Sequence, residues 1–163
     1  MSKKVFVGMS GGVDSSVAAA LLVEQGYDVT GIYMKNWSED LPGMHCPWAE
    51  DVADAKRVAV GLGIDFRVFD FQKEYKQNVV DYMIREYQAG RTPNPDIMCN
   101  QEVKFKIFLE ASLAAGADYI ATGHYARVVH ESSSSAKLLR ARDDNKDQTY
   151  FLYRVTSEAL LKT

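Results

Sequence analysis

Apolar and polar positions alternate in blocks along the first three quarters of the chain. Short apolar runs bounded by polar or glycine residues predict buried strands, and longer stretches with apolar positions at helical spacing predict helices. Strands are expected at 3–9, 27–34, 66–71 and 119–121, and helices at 16–25, 49–62, 73–89 and 103–115. Because strands alternate with helices, and a glycine follows each helix, the pattern predicts an α/β fold with a mainly parallel sheet and helices on both faces.

The pattern changes after Tyr125. Two short runs, 126–130 and 137–142, flank a serine-rich loop and predict a β-hairpin appended to the α/β core. The aromatic-rich stretch 148–162 is expected to be helical. It ends in two leucines without a stop signal, so we expect the 163 residues to be part of a longer polypeptide.

Composition narrows the class of protein. Apolar residues make up 47% and charged residues 25% of the 163 positions, which is typical of one folded globular domain. The net charge of −3 argues against a dedicated nucleic-acid-binding domain, because such domains are usually basic. No apolar stretch approaches the about 18 residues of a membrane span, and no signal peptide fits the N-terminus, so we expect a cytoplasmic protein. Its two cysteines, Cys46 and Cys99, are then expected to be free thiols.

The segment Ser10–Ser16 lies between the first predicted strand and the first predicted helix. Open parallel sheets bind ligands at this edge, where glycines let the backbone approach an anion and the helix N-terminus faces it. The three serine hydroxyls are expected to add donors. The loop lacks the lysine of a Walker loop, so we expect the carboxylate of Asp14 to meet polyphosphate through a bridging Mg²⁺. An ordinary Ser/Asp helix cap would need only one such residue.

Further along the chain, several single residues carry candidate chemistry with ordinary alternatives. Cys99 is expected in a loop just before a helix, where the helix N-terminus would lower its thiol pKa, although a free cysteine is often only a small buried side chain. Asp96, three positions earlier, is a candidate general acid/base or thiol partner, or else a turn residue. His124 follows a strand and could cap or fill the core. Lys146 could belong to a solvated charged face.

Five separated motifs resemble known enzymes. The segment Ser10–Ser16 resembles the pyrophosphate loop of N-type ATP pyrophosphatases, which have the adenine nucleotide alpha hydrolase-like fold. The family of tRNA-specific 2-thiouridylases (MnmA/TrmU) is similar in the loop with its preceding Gly8 and Met9 and in four further segments. These are 34–37 (MKNW), 90–100 (GRTPNPDIMCN), 121–125 (ATGHY) and 145–152 (NKDQTYFL).

The resemblance implies ATP-dependent 2-thiolation of the wobble uridine of tRNA. The C2 oxygen would be adenylated and then replaced by sulfur from a cysteine persulfide, with ATP and Mg²⁺ required and a persulfide-carrying protein as sulfur donor. ATP would bind at Gly8, Met9, Ser10, Gly11, Gly12, Val13, Asp14, Ser15, Met34 and Gly123. The flipped-out uridine would contact Asn94, Pro95 and Asp96, and the tRNA would contact His124, Lys146, Asp147 and Gln148. Cys99, with Asp96, would be catalytic, and a disulfide bond is among the expected features.

The resemblance also leaves alternatives open. The family's persulfide-carrying cysteine, its tRNA-binding region and its β-barrel are expected beyond Thr163, so residues 1–163 would be an ATP-pyrophosphatase domain. Cys46 does not occupy the place of that cysteine. Two cysteines cannot complete a four-cysteine iron–sulfur cluster, so a cluster is left open only with further ligands from outside residues 1–163. His45, Cys46 and the distant Cys99 are too few for structural zinc. The competing hypotheses are another N-type ATP pyrophosphatase, such as an amidotransferase-linked synthetase or a tRNA lysidine synthetase, and a nucleotide-binding module without catalysis.

Overall fold

The computed structural model describes residues 2–40 and 46–163. His45, considered above as a metal ligand, lies outside these ranges. The elements are β1 (Lys4–Gly8), α1 (Val13–Glu24), β2 (Asp28–Lys35), α2 (Trp48–Leu62), β3 (Asp65–Asp70), α3 (Gln72–Tyr75), π1 (Lys76–Val80), α4 (Asp81–Gln88), α5 (Pro95–Met98), π2 (Cys99–Ile107), α6 (Phe108–Ala114), β4 (Tyr119–Ala121), β5 (Ala126–Ser132), β6 (Ser135–Arg140), a 3₁₀ turn (Thr149–Phe151) and α7 (Ser157–Leu160).

The chain divides into two compact units. The first comprises residues 1–72 and 112–123, and the second comprises 73–111 and 124–163. The single ATP-pyrophosphatase domain over 1–163 stays a prediction.

A parallel sheet forms the centre of the first unit. Its strand order is β3-β2-β1-β4, and β1 pairs in parallel with both β2 and β4. The helices α1 and α2 pack against β1, β2 and β3, as the alternating pattern predicts. Between them lies a core that includes Val5, Val7, Ala19 and Ala55, all at most 3% exposed.

The opposite face of the sheet is also covered. The side chains of Phe6, Ile32 and Ile120 are at most 1% exposed, although they point away from the core between the sheet and α1. Phe6 meets the ring of Phe69 edge-on at a centroid distance of 6.4 Å. The prediction of a mainly parallel, doubly covered sheet is therefore confirmed.

The second unit contains the predicted hairpin. Strands β5 and β6 pair antiparallel, but they extend into the serine run, and only Ser133 and Ser134 remain as the turn. The predicted helix over 148–162 is wrong, because this stretch forms a 3₁₀ turn and the four-residue α7 instead.

Two helical stretches differ from the pattern. Residues 72–88 and 95–114 are each continuously helical, and each contains a π-helical segment, π1 and π2. The helix predicted over 103–115 begins eight residues earlier, at Pro95, so the prediction that Cys99 lies in a loop before it is wrong. Proline suits that first helical position, since its missing N–H would have no partner there. The glycines predicted to follow helices, Gly26, Gly63, Gly90 and Gly116, all have positive φ.

No helix in the two described ranges is both long and apolar enough to cross a lipid bilayer.

Candidate nucleotide and thiol sites

The phosphate loop lies at the carboxyl edge of the parallel sheet, between β1 and α1. Helix α1 begins at Val13, three residues earlier than predicted, so the loop itself supplies the first helical turn. Gly12 precedes the helix, and among the described residues no side chain caps it, so N–H groups of the first turn point towards a ligand. Gly11 has φ +83°, and a Cβ there would lie 2.8 Å from the Asp51 carbonyl oxygen. Only glycine fits this position.

The serine hydroxyls hold the loop together. The Ser15 and Ser16 hydroxyls both donate to the Gly12 carbonyl oxygen, at 3.2 and 2.8 Å. The Ser10 N–H donates to the Ser15 Oγ at 3.2 Å, and the Gly12 N–H donates to the Ser10 Oγ at 3.3 Å. The Ser15 and Ser16 hydroxyls thus donate inside the loop, and their role as phosphate donors stays a prediction.

Gly123 packs directly against this first turn. A Cβ on Gly123 would lie 2.6 Å from the Ser15 nitrogen and 2.7 Å from the Asp14 carbonyl carbon, so the strand-end segment after β4 can approach the loop only as glycine. Met9 is 1% exposed, and its N–H donates to the Ile32 carbonyl at 2.8 Å. A nucleotide can therefore meet Met9 only through its remaining backbone atoms.

Carboxylates near the loop define what it can offer to a cation. Asp14 lies in the first turn of α1. Asp54 of α2 is ion-paired with Arg57, and its Cβ lies 3.3 Å from the position that a Cβ on Gly11 would take. Within 2–40 and 46–163, no three His, Cys, Asp or Glu side chains gather as a metal site. The donor set fits Mg²⁺ held by one carboxylate, with phosphate oxygens and water as its other ligands.

The end of β2 carries the predicted adenine contact. Met34 is half-buried at the penultimate position of β2, and Gly8, the last residue of β1, pairs with Ile32 of the same strand. The next residue, Lys35, places its ammonium 4.1 Å from the centroid of the Trp48 ring at the start of α2. The Trp37 Nε1–H donates to the Glu39 carbonyl at 2.8 Å. Both tryptophans are thus held by local contacts in the described part of the chain.

The second unit contains the candidate thiol site. The Asn94 Oδ1 caps the helix by accepting from the N–H groups of Asp96, at 3.0 Å, and Ile97, at 3.4 Å. Asn94 and Pro95 are therefore the cap and first residue of a helix, a signal that the sequence carries. Cys99 is the fifth helical residue and opens the π segment π2. It does not lie in a loop before the helix.

Burial determines the state of Cys99. It raises the pKa of the thiol above its ordinary value, Lys104 lowers that pKa in opposition, and the Asp96 carboxylate raises it further. The prediction of a thiol pKa lowered by a helix N-terminus is therefore wrong: the cysteine lies a full turn inside the helix, and the low polarizability of its surroundings disfavours the thiolate. Cys99 and Cys46 are both free, as expected of these two cysteines, and the structure does not support a disulfide bond among the described residues.

Two neighbours of Cys99 were missed by the sequence analysis. Burial raises the phenol pKa of Tyr75, and the charges of Cys99 and Asp96 raise it further, so this tyrosine is near enough for both to act on it electrostatically. Asn100 is 3% exposed; its Nδ2 donates to the Phe151 carbonyl at 3.4 Å, and its Oδ1 has no hydrogen-bond partner among the described residues. Only the packing of helices that are distant in the sequence brings Tyr75 to Cys99.

His124 is a half-buried imidazole that is neutral at pH 7. Burial, with a smaller contribution from Lys104, lowers its pKa to about 4, and its ring lies 5.7 Å from the ring of Phe105. At neutral pH this side chain is uncharged, so it does not supply a positive charge to a phosphate, and its contact with tRNA stays a prediction.

The three residues predicted to contact tRNA after the hairpin all support the local backbone. Gln148 and Tyr125 exchange two hydrogen bonds, through the Gln148 N–H at 2.8 Å and the Tyr125 N–H at 2.9 Å. The Lys146 ammonium lies 4.0 Å from the centroid of the Tyr125 ring. Asp147 accepts from Ala141, Thr149 and Arg140, and these bonds lower its pKa to about 2. Their contact with tRNA stays a prediction.

Comparison with known proteins identifies the family. The family model described as "tRNA methyl transferase HUP domain" matches residues 3–163. The chain belongs to this family. The matched range includes both the phosphate loop and the cysteine helix.

Curated relatives of this HUP-domain chain share one name. It is 56% identical over 160 residues to the tRNA-specific 2-thiouridylase MnmA of Thiobacillus denitrificans, a match that covers 98% of the chain and 45% of the relative. It is 55% identical over 162 residues to the protein of that name from Francisella tularensis subsp. novicida, with 99% and 45% covered. The chain therefore spans less than half the length of these relatives.

Solved structures agree with the HUP-type fold. The U34-tRNA thiolase NcsA of Methanococcus maripaludis, solved with its [4Fe-4S] cluster, aligns with 25% identity and a TM-score of 0.52 over 75% of this chain and 38% of NcsA. A protein of Methanocaldococcus jannaschii, described as a predicted subunit of tRNA methyltransferase, aligns with 24% identity and a TM-score of 0.51 over 74% of this chain and 53% of its own. The latter likeness supports the fold alone.

Proposed function

We propose that this chain is the adenylating part of a tRNA uridine 2-thiolase. It binds ATP, adenylates the C2 oxygen of the wobble uridine, and presents that base to a sulfur donor. Adenylation makes the reaction possible, because an oxygen on a pyrimidine ring is a poor leaving group and AMP is a good one. The curated relatives named for this activity, at 55–56% identity, support the choice of substrate.

The observation that carries the proposal is the phosphate loop. It offers a helix start without a side-chain cap and a glycine with φ +83°, and Gly123 closes against its backbone. This arrangement suits a polyphosphate, whose charge the N–H groups of the first turn would stabilise. In the proposal, Gly8–Ser15 and Gly123 bind the phosphates and Met34 contacts the adenine. Mg²⁺, held by Asp14, would neutralise charge on the pyrophosphate that leaves.

The thiol site supplies the second half of the proposal. Asn94, Pro95 and Asp96 contact the extruded uridine, and His124, Lys146, Asp147 and Gln148 contact the surrounding tRNA. A persulfide from a second cysteine attacks C2 and expels AMP. The Cys99 thiolate then attacks the Sγ of the donor cysteine and breaks its bond to the transferred sulfur. This step releases the 2-thiouridine and leaves a disulfide between the two cysteines, which an external thiol must reduce.

Proton transfer is required before Cys99 can react. Because burial raises its pKa, the thiol is protonated in this state, and a base must remove that proton when the substrates are bound. Asp96 is exposed and acts electrostatically on Cys99, which suits this role.

The proposal places the protein in the cytoplasm, together with tRNA and a protein that carries persulfide. The family description speaks of methyl transfer, whereas the relatives are named for thiolation. One measurement separates the two activities. Mass spectrometry of tRNA nucleosides from cells lacking the gene should show the loss of 2-thiouridine, restored by the wild-type gene. The loss of a methylated nucleoside instead would overturn the proposal.

The purified chain tests the adenylation step directly. With Mg-ATP, a sulfide donor and a uridine-containing tRNA, adenylation should release pyrophosphate, and attack of sulfide on the adenylated base should release AMP in equal amount. The same tRNA with cytidine at the wobble position is the matched control and should give neither product. Formation of ADP and phosphate would identify a different cleavage of ATP.

A further inference from the structure

We propose that Tyr150 and Tyr153 form a stacking platform for unpaired RNA bases beside the reacting uridine. Neither tyrosine has a part in the proposed binding of ATP or in the proposed thiol chemistry. The inference deepens the proposed function and rests on it for the identity of the RNA.

The two rings are unusually exposed for large aromatic side chains. Tyr150 is 60% and Tyr153 is 67% exposed, although Leu152 between them is 3% exposed and anchors the segment. Tyr150 also packs on Phe151, with a centroid distance of 3.9 Å and an angle of 36° between the rings. Phe151 thus supports one side of Tyr150 and leaves most of the ring available to a ligand.

The segment is fastened next to the candidate catalytic cysteine. The Asn100 Nδ2 donates to the Phe151 carbonyl at 3.4 Å, and the Arg154 guanidinium approaches the Met98 sulfur at 3.8 Å. Met98 and Asn100 are the two sequence neighbours of Cys99. The exposed rings are therefore carried by a segment that is tied to the helix on both sides of that thiol.

The local charge favours nucleic acid as the occupant. Residues 137–154 contain five basic and three acidic side chains, in a chain whose net charge is −3. Two of the five cations are ion-paired, Arg140 with Asp147 and Lys137 with Glu131. The remaining charged residues of the stretch are Arg142, Lys146 and Arg154, against Asp143 and Asp144. Exposed aromatic rings combined with cationic side chains bind single-stranded nucleic acid, because every base offers a π-face and every nucleotide a phosphate.

The test measures binding of RNA to the purified chain at low salt. The probes are an RNA stem-loop with uridine in its unpaired loop and a blunt duplex of the same composition. Tyr150→Leu and Tyr153→Leu should each weaken stem-loop binding roughly tenfold and leave duplex binding unchanged. Tyr150→Phe and Tyr153→Phe should bind as the wild type, because the ring is kept. Tyr87→Leu, at an exposed tyrosine on α4, is the matched control.

A readout without substitutions accompanies the variants. Hydrogen–deuterium exchange of the wild-type chain should show protection over 149–154 when the stem-loop is added. Leucine variants that bind the stem-loop like the wild type, an equal loss for the duplex, or no protection of this segment would each overturn the platform.

The platform and the proposed function fail in different ways. Binding that depends on Tyr150 and Tyr153, together with undiminished 2-thiouridine in cells lacking the gene, would support the platform and refute thiolation. If the wild-type gene restores 2-thiouridine but the leucine variants bind the stem-loop normally, thiolation would be supported and the platform refuted.

Discussion

The phosphate loop of the first unit and the cysteine helix of the second differ in whether backbone or side-chain atoms determine their properties. The loop depends on its backbone. Gly11 and Gly123 let neighbouring backbone segments approach closely, and the serine hydroxyls stabilise the turn through hydrogen bonds within it. The cysteine helix and its surroundings depend on side chains, because burial shifts the pKa values of Cys99, Tyr75 and His124. A backbone site is thus sensitive to an added methyl group, and a side-chain site is sensitive to the loss of one functional atom.

The largest effect is expected at the side-chain site. Cys99→Ser should abolish 2-thiouridine in complemented cells and leave ATP binding intact, because a serine hydroxyl is a much weaker nucleophile at neutral pH than a thiolate. Nucleoside mass spectrometry measures the first effect and calorimetry the second. Cys46→Ser, which removes the other thiol, is the control and should thiolate normally. Normal thiolation by the Cys99 variant would reduce this cysteine to a structural residue.

A methyl group should damage the backbone site almost as severely. Gly123→Ala would force a Cβ to within 2.6 Å of the Ser15 nitrogen, so the loop must shift. We expect ATP affinity to fall by about 100-fold or more, since overpacking of this kind costs about 1–3 kcal/mol before any ligand contact is lost. Gly61→Ala is the control, because nothing lies within 4 Å of a Cβ there. Equal ATP affinities of the two variants would mean that the loop is not the nucleotide site.

One side chain in the backbone site should matter only through its charge. Asp14→Asn keeps the shape of the residue and should weaken Mg-ATP binding about tenfold, a loss typical of one carboxylate on a bound cation, and should leave AMP binding nearly unchanged. Titration calorimetry with both nucleotides compares them. Equal losses for Mg-ATP and AMP would remove Asp14 from the metal role.

The smallest expected effect is a pH dependence of stability in the second unit. His124 has a pKa of about 4 when folded and an ordinary value of 6.5 when unfolded, so the unfolded chain binds more protons between these values. The free energy of unfolding should therefore fall as pH drops from 6.5 towards 4, by about 2 kcal/mol after allowance for partial exposure.

Urea denaturation at pH 7.5 and pH 4.5 measures this effect. His124→Gln should remove most of the difference between the two pH values. His130→Gln, at an exposed histidine, should retain it. Asp147 does not contribute in this window, because its pKa of about 2 keeps it ionised there. An undiminished difference in the His124 variant would show that other groups cause it.

The elements that sequence patterns predicted well are those fixed by local chemistry. Strand β4 has the predicted bounds, and the glycines that end four helices have positive φ. The stretch 148–162 shows the opposite case. The pattern predicts a helix there, but Asp147 and Gln148 accept hydrogen bonds from Ala141 and Tyr125, and these longer-range bonds hold the start of the stretch in an irregular form. The helix start at Pro95 could have been predicted from Asn94 and Pro95, because that pair favours a helix N-terminus.

The sequence by itself determined the phosphate loop, because glycines and a helix start are local features that act through the backbone. It also determined the strand–helix alternation, and hence the parallel sheet that carries the loop at its edge. Only the tertiary structure decided the state of the thiol. Cys99 is protonated and Tyr75 lies near it because helices distant in the chain bury both side chains, and the energy of a charged group depends on everything packed around it.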